Sequence, residues 1–431
     1  MIRPTPIPIA LDRPMAPPPP SMDSAVDSPT SLSGRLWELA QLFVKLGLTG
    51  FGGPQAHIAM IHEEAVARRG WFSEDQYLEG VAICEMLPGP ASTQMGMYTG
   101  YLRAGQWGAL VAGLSFIAPA FLIMLGLSWA YFRFQGVPQI EALFLGISPV
   151  VIAIIAGFCW KLSKKAITDR AGVAIALASL LLSWRLGVNV LLLFALAGVA
   201  GLILYRPNLP PDQRGLAAGV ALMGPWLSRL ATLPGAPLAV SSFWGLDRIQ
   251  TYALPLTTFF LKTGAFIFGG GLVIIPLLET AVVDDFGWMT RNQFIDGVAL
   301  GELTPGPVVI TAAFVGYKVA GALGALVATV AIFAPSFGFI MFASPLLRQL
   351  RQQPWVKRSL KGVLPAVLGA IAAAVIPLAQ ATILQPTLPR TLFAAGLAGV
   401  ALFALVRLRC PTWQLVAGGA ALGLLAGPWL A

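Results

Sequence analysis

Four ionisable residues stand where apolar sequence should run unbroken, and they form two matched pairs. Lys45 lies in the run 42–48 and Lys262 in the run 259–268. Glu85 and Glu302 each stand three residues ahead of an identical triplet, Pro88-Gly89-Pro90 and Pro305-Gly306-Pro307. A charge inside hydrocarbon costs about 3 kcal/mol or more unless something compensates it. An incoming dianion would compensate the lysines; otherwise they reach back to a nearby headgroup. The glutamates either neutralise the lysines between substrates, carry a coupling proton, or cap broken backbone.

Each lysine is followed by a glycine break, Phe51-Gly52-Gly53 and Phe268-Gly269-Gly270. Glycine lets the backbone leave helical geometry, and a half-helix starting there presents unpaired N–H groups and a positive dipole end to an anion. The Pro-Gly-Pro triplets would make a second break, with Pro90 and Pro307 in the first turn of a new half-helix, where a missing N–H costs nothing. Close-packing glycines and kinking prolines are the plainer alternative in a membrane bundle. Recurrence of each break beside an ionisable residue favours a substrate site. Ser92, Thr93 and Gln94 follow the first triplet and can donate to an anion, but Val308, Val309 and Ile310 follow the second, so the site is quasi-symmetric at most. His57 and His62 adjoin Glu63 and Glu64 and are expected in a solvated loop. Trp71 and Trp288 are expected as interface anchors.

The elements that position these residues are repeated. Phe43, Lys45, Gly47, Phe51, Gly52 and Gly53 recur 217 residues on as Phe260, Lys262, Gly264, Phe268, Gly269 and Gly270, as do Gly70-Trp71, Gln76, Gly80-Val81-Ala82, Glu85 and the triplet. The register then slips by one, so that Gly100-Tyr101, Gly105, Gly108 and Pro119 match Gly316-Tyr317, Gly321, Gly324 and Pro335. With 57% hydrophobic and 11% charged residues over 431, and a mean hydropathy of +0.76, the chain needs lipid as its solvent. Stretches such as 107–132, 140–160, 188–205, 322–347, 363–384 and 412–430 each suffice to cross a bilayer. Cys84, Cys159 and Cys410 are too dispersed for a disulfide framework or a metal cluster.

The net charge of +9 fits basic cytoplasmic loops, and no basic run interleaved with aromatics points to nucleic acid. Lys161, Lys164, Lys165 and Arg170 crowd one connection, whereas its counterpart at 385–390 has only Arg390. The neighbouring connection reverses this: Arg133 stands alone, but Arg348, Arg351, Lys357, Arg358 and Lys361 mark its counterpart. Equivalent loops therefore lie on opposite faces, and an unpaired apolar segment, 216–230, supplies the inverting crossing. The expectation is an all-α membrane protein of about thirteen segments, two inverted six-segment repeats plus a linking one. The first two segments of each repeat either span or are re-entrant, and Arg68 and Arg69 favour the latter. The divisions are a disordered cytoplasmic tail at 1–33, a first repeat at 34–206, a linker at 207–250 and a second repeat at 251–431.

The stretches FGGPQAHI and EMLPGPASTQ, with GAFIFGGG and ELTPGPV in the second half, resemble the two domains of the chromate ion transporter family over about 37–430. The resemblance implies opposed halves, multi-pass residence in a bacterial inner membrane, and chromate efflux conferring resistance. Sulfate is a chemically similar oxyanion, and a sulfate importer or oxyanion channel of the same fold remains open. A membrane-embedded enzyme would gather acid, base or metal ligands at one interface, and the paired Lys and Glu suit transport better. No cofactor or metal is expected. The partners are an oxyanion and membrane lipid, with a homodimer left open.

Overall fold

A computed structural model describes residues 31–205, 243–266, 273–352 and 354–430. The tail up to residue 30, the linking segment 216–230, and Phe268, Gly269 and Gly270 lie outside the described residues. Regular structure among the described residues is helical. The first repeat holds α1 (Leu32–Thr49), α2 (Gly53–His62), α3 (Glu74–Met86), α4 (Ala91–Arg133), α5 (Pro138–Ala166), α6 (Arg170–Leu186) and α7 (Val190–Leu204). The second holds α8 (Leu246–Phe266), α9 (Ile274–Glu279), α10 (Arg291–Leu303), α11 (Thr311–Gln352), α12 (Pro354–Ile383), α13 (Leu388–Phe403) and α14 (Thr412–Leu430).

Local chemistry repeats with the sequence. α2 and α9 each run into one widened π turn, Glu63–Arg68 and Thr280–Asp285. α3 and α10 each open on a capping box, Ser73 with Gln76 and Thr290 with Gln293. Such a box satisfies two otherwise orphaned N–H donors at a helix start, and the same residue types 217 positions apart build the same start twice.

α4 and α11 are not single rods. At Ala104-Gly105 and Ala320-Gly321 the backbone leaves the helix, with glycine φ values of 65° and 60°. The chain reverses there. A Cβ on Gly100 would come 2.2 Å from the Gly108 carbonyl oxygen, and one on Gly316 would come 2.3 Å from that of Gly324. Only glycine permits so close a backbone approach. Residues 91–103 are thus a short arm folded back on 106–133.

α1 and α2 form a second hairpin. Glu38 near the start of α1 pairs with Arg103 at 3.0 Å, and Arg69 and Arg103 both lie over the Trp71 ring, at 5.5 and 5.1 Å. The start of α1, the turn after α2 and the end of the short α4 arm therefore share one end of the bundle. The chain dips in along α1, returns along α2, dips in again along α3 and returns along 91–103. Six helices among the described residues are long and apolar enough to cross a bilayer: Ala91–Arg133, Pro138–Ala166, Val308–Phe342, Arg358–Ile383, Leu388–Leu408 and Thr412–Leu430. These six do not confirm the count of thirteen.

The repeats interlock. α14 packs on α5 and α7 on α12, each on a helix of the other repeat, with Gly146 against Gly419 and Gly423, and Gly362 against Ala197 and Gly201. α4 and α11 cross between them. Asp169 accepts from Tyr205 at 2.9 Å, and Lys361 Nζ lies 5.0 Å over the Tyr205 ring. The basic connection after α5 and the basic start of α12 therefore lie at one end. The Gly172 N–H, then the Tyr205 hydroxyl, hold the Asp169 carboxyl below its usual range.

Candidate substrate site at the broken helices

The breaks need glycine. Gly52, Gly53, Gly89 and Gly306 have φ of 107°, 79°, 126° and 101°, a region that strains other residues. Space is also short. A Cβ on Gly89 would lie 2.3 Å from both Gln94 Nε2 and Ser336 Oγ, and one on Gly306 would lie 3.0 Å from the Ala120 Cβ. Ala120 on α4 and Ser336 on α11 are equivalent positions, so each triplet seats against the long helix of the other repeat. The Gly306 N–H donates to the Gly50 carbonyl at 2.8 Å. That bond joins the second triplet to the first glycine break, bringing the start of α2 beside the 3-10 turn Val308–Ile310 that leads into α11. Pro90 and Pro307 are extended residues just ahead of their helical turns, one position earlier than expected.

Buried polar groups gather around these turns. Gln94 Nε2 donates to the Pro88 carbonyl at 2.6 Å, while Gln94 Oε1 and Thr93 Oγ1 are buried without a hydrogen-bond partner. His57 corrects the sequence expectation of a solvated loop. It is 2% exposed on α2, with Nε2 2.9 Å from the Gly50 carbonyl oxygen and its ring edge-on to Phe116. The helix restarts at Gly53 and carries His57 inward one turn later. His62 is half-exposed and pairs with Glu74 at 2.7 Å, and Glu279 and Arg291 pair at 2.8 Å at the equivalent positions with the signs exchanged. Trp288 is also buried, stacked on Phe286, rather than anchored at a surface.

Pairing with the lysines, one of the roles open to the glutamates, is not seen among the described residues. Lys45 takes Glu64 at 2.8 Å, not Glu85, and Arg68 and Arg69 reach the same carboxylate. Lys262 is half-buried, and Ala281 stands where its Glu64 equivalent would be. Glu85 is 37% exposed and lies 3.4 Å from Lys165 at the end of α5. Glu302 is 9% exposed, accepts from Thr412, and has Oε1 buried without a partner. Sequence reasoning missed Asp296, which accepts from Tyr131 at 2.7 Å and Ser148 at 2.9 Å. An acid within the apolar run 294–300 was the available signal.

The family model for chromate transporters matches residues 37–202 and again 254–424, one match per repeat. The chain belongs to the chromate transporter family. The transporter is 35% identical over 422 residues to a chromate transport protein of Cupriavidus metallidurans, covering 96% of this chain and 99% of the relative. It is 36% identical to a probable chromate transport protein of Synechococcus elongatus, over 80% of this chain and 85% of the relative. A chromate transport protein of Pseudomonas aeruginosa is 34% identical, over 84% and 86%. No solved structure matches the chain. Family and apolar helices together make the transporter a multi-pass membrane protein.

Proposed function

We propose that the transporter carries chromate out of the cytoplasm across a bacterial inner membrane, as a secondary active carrier with its site at the α4–α11 crossing. The observation that carries this reading is the family match to both repeats, together with near full-length similarity to proteins named for chromate transport. The geometry supports it. The starts of α2, of α4 and of the turn before α11 adjoin the breaks 51–53, 88–90 and 305–307, and unpaired N–H groups at helix starts suit a tetrahedral dianion. Residues 268–270 would complete the set by repeat equivalence, with Lys45 and Lys262 supplying positive field. Glu302 is the coupling acid in this reading, rather than Glu85: a dianion beside it repels its charge and favours proton uptake, and linkage makes protonation tighten anion binding in return.

Inverted repeats follow from the same reading. The shared end of Asp169, Tyr205 and Lys361 is the basic one and therefore cytoplasmic. The long α4 arm leads away from the end where α1 begins, and α5 returns to the basic end. The long α11 arm instead arrives at the basic start of α12. The first pair of hairpins thus opens inward and the second outward, which requires a crossing within 207–250.

Uptake of labelled chromate and sulfate by everted vesicles, with and without a proton gradient, tests the proposal. Chromate should accumulate when a gradient is imposed. Sulfate accumulation without chromate would overturn the substrate assignment, and gradient-independent equilibration would overturn the carrier mechanism.

A further inference from the structure

α3 and α10 are equivalent in sequence but differently seated. From Phe294 to Glu302 every residue of α10 is buried, against α5 and α4 of the first repeat and α12 and α14 of its own. In α3 Tyr77, Gly80, Ile83 and Cys84 are buried, while Glu79 and Ala82 are half-buried and Glu85 is exposed. The polar tie that crosses from α10 to the first repeat at this junction is Asp296. Its two oxygens take the Tyr131 hydroxyl from α4 and the Ser148 hydroxyl from α5. Hydrogen bonds to a carboxylate are short and strong. The Tyr131 ring, set edge-on to Phe144 and Phe314, fixes where its hydroxyl points.

Leu347 and Leu364 stand at the sequence positions equivalent to Tyr131 and Ser148, and Glu79 stands at that equivalent to Asp296. We propose that Asp296, Tyr131 and Ser148 form a latch that keeps α10 docked on the first repeat, and that this latch opens in each transport cycle. The inference rests on reading the chain as an alternating carrier. Inverted repeats give such a carrier its two states by exchanging the settings of equivalent elements. α10 carries Glu302 six residues beyond Asp296, so undocking α10 uncovers the coupling acid. Asp296 acts here as a positioning residue.

Two measurements test the latch. In a background with Cys84, Cys159 and Cys410 replaced by alanine, Ala299→Cys should react with a water-soluble maleimide about tenfold more slowly than the equivalent Ala82→Cys. Adding Tyr131→Phe, which keeps the ring packed, should speed labelling at 299 about tenfold, the scale of one buried hydrogen bond, and Ser148→Ala should add to it. Labelling at 299 that equals that at 82 in the parent, or that is unchanged by Tyr131→Phe, overturns the latch. In the second measurement, the pair Ser148→Cys with Asp296→Cys is oxidised in vesicles. Chromate counterflow should stop and return on reduction; counterflow continuing through the cross-linked protein overturns the requirement for opening. If the parent moves neither chromate nor sulfate, the substrate reading fails, while the labelling result still decides whether the latch exists.

Discussion

α3 and α10 start on the same capping box and end just before the same Pro-Gly-Pro triplet, yet one lies half-open and the other is enclosed. The cause lies in their neighbours. α10 is covered by α5, α12 and α14, whereas α3 rests on α4 and touches α11. The two glutamates inherit the difference: Glu85 finds Lys165 at an exposed edge, and Glu302 is sealed in with one oxygen unpartnered. Equivalent residues in a duplicated membrane protein therefore need not share an environment, and a role assigned to one cannot be copied to the other.

The largest effect should come from placing a charge on each helix in turn. Ala299→Lys puts an ammonium among fully buried side chains, at a cost of about 3 kcal/mol or more. Ala82→Lys, at the half-buried equivalent, can reach out and should cost about 1 kcal/mol or less. Yield of monodisperse protein on gel filtration and the melting midpoint in detergent would report both. Equal tolerance at the two positions would break the comparison at its root.

A smaller but more specific effect is expected from the glutamates. Glu302→Gln should retain chromate counterflow but lose gradient-driven accumulation, because a neutral amide imitates the protonated acid and cannot cycle. Glu85→Gln should leave both within about twofold, the scale expected when an exposed ion pair is lost. Full gradient-driven transport with unaltered pH dependence in Glu302→Gln would make that residue structural and move coupling elsewhere.

Much of this is legible in the sequence. The duplication and the breaks are written as identities at fixed offsets, because glycine at positive φ has few substitutes, and the basic connections are written as clusters of Lys and Arg. The enclosure of α10 was not legible, since it depends on helices far along the chain: Asp296 meets hydroxyls 165 and 148 residues away. The reversal at Ala104-Gly105 falls just ahead of the apolar stretch 107–132, so its place was legible, although the close approach of Gly100 to Gly108 was not. His57 was misplaced for a simpler reason. Two acids after it suggested water, but they belong to the π turn beyond the end of α2, while His57 itself lies a turn into that helix.

The last comparison is between the hairpin ends, which are pinned by different charges: Glu64 gathers three cations in the first repeat, while in the second Arg291 holds Glu279 and Asp284. Glu64 is 7% exposed and takes Lys45, Arg68 and Arg69, whereas Ala281 stands at its equivalent. The hydrogen bond from Lys45, then the Arg69 guanidinium, hold the Glu64 carboxyl below its ordinary value of 4.5 against the opposing effect of burial. A carboxyl depressed in the fold contributes stability that is complete above that ordinary value and is lost as pH falls through the folded one. Glu64→Gln removes that contribution and should cost about 2 kcal/mol at pH 7. It should also flatten the acid limb, so that the melting midpoint of the parent falls more steeply below about pH 4.5 than that of the variant. Melting curves for the two proteins that stay parallel from pH 7 to the acid limit would mean that Glu64 is not what pins the first hairpin.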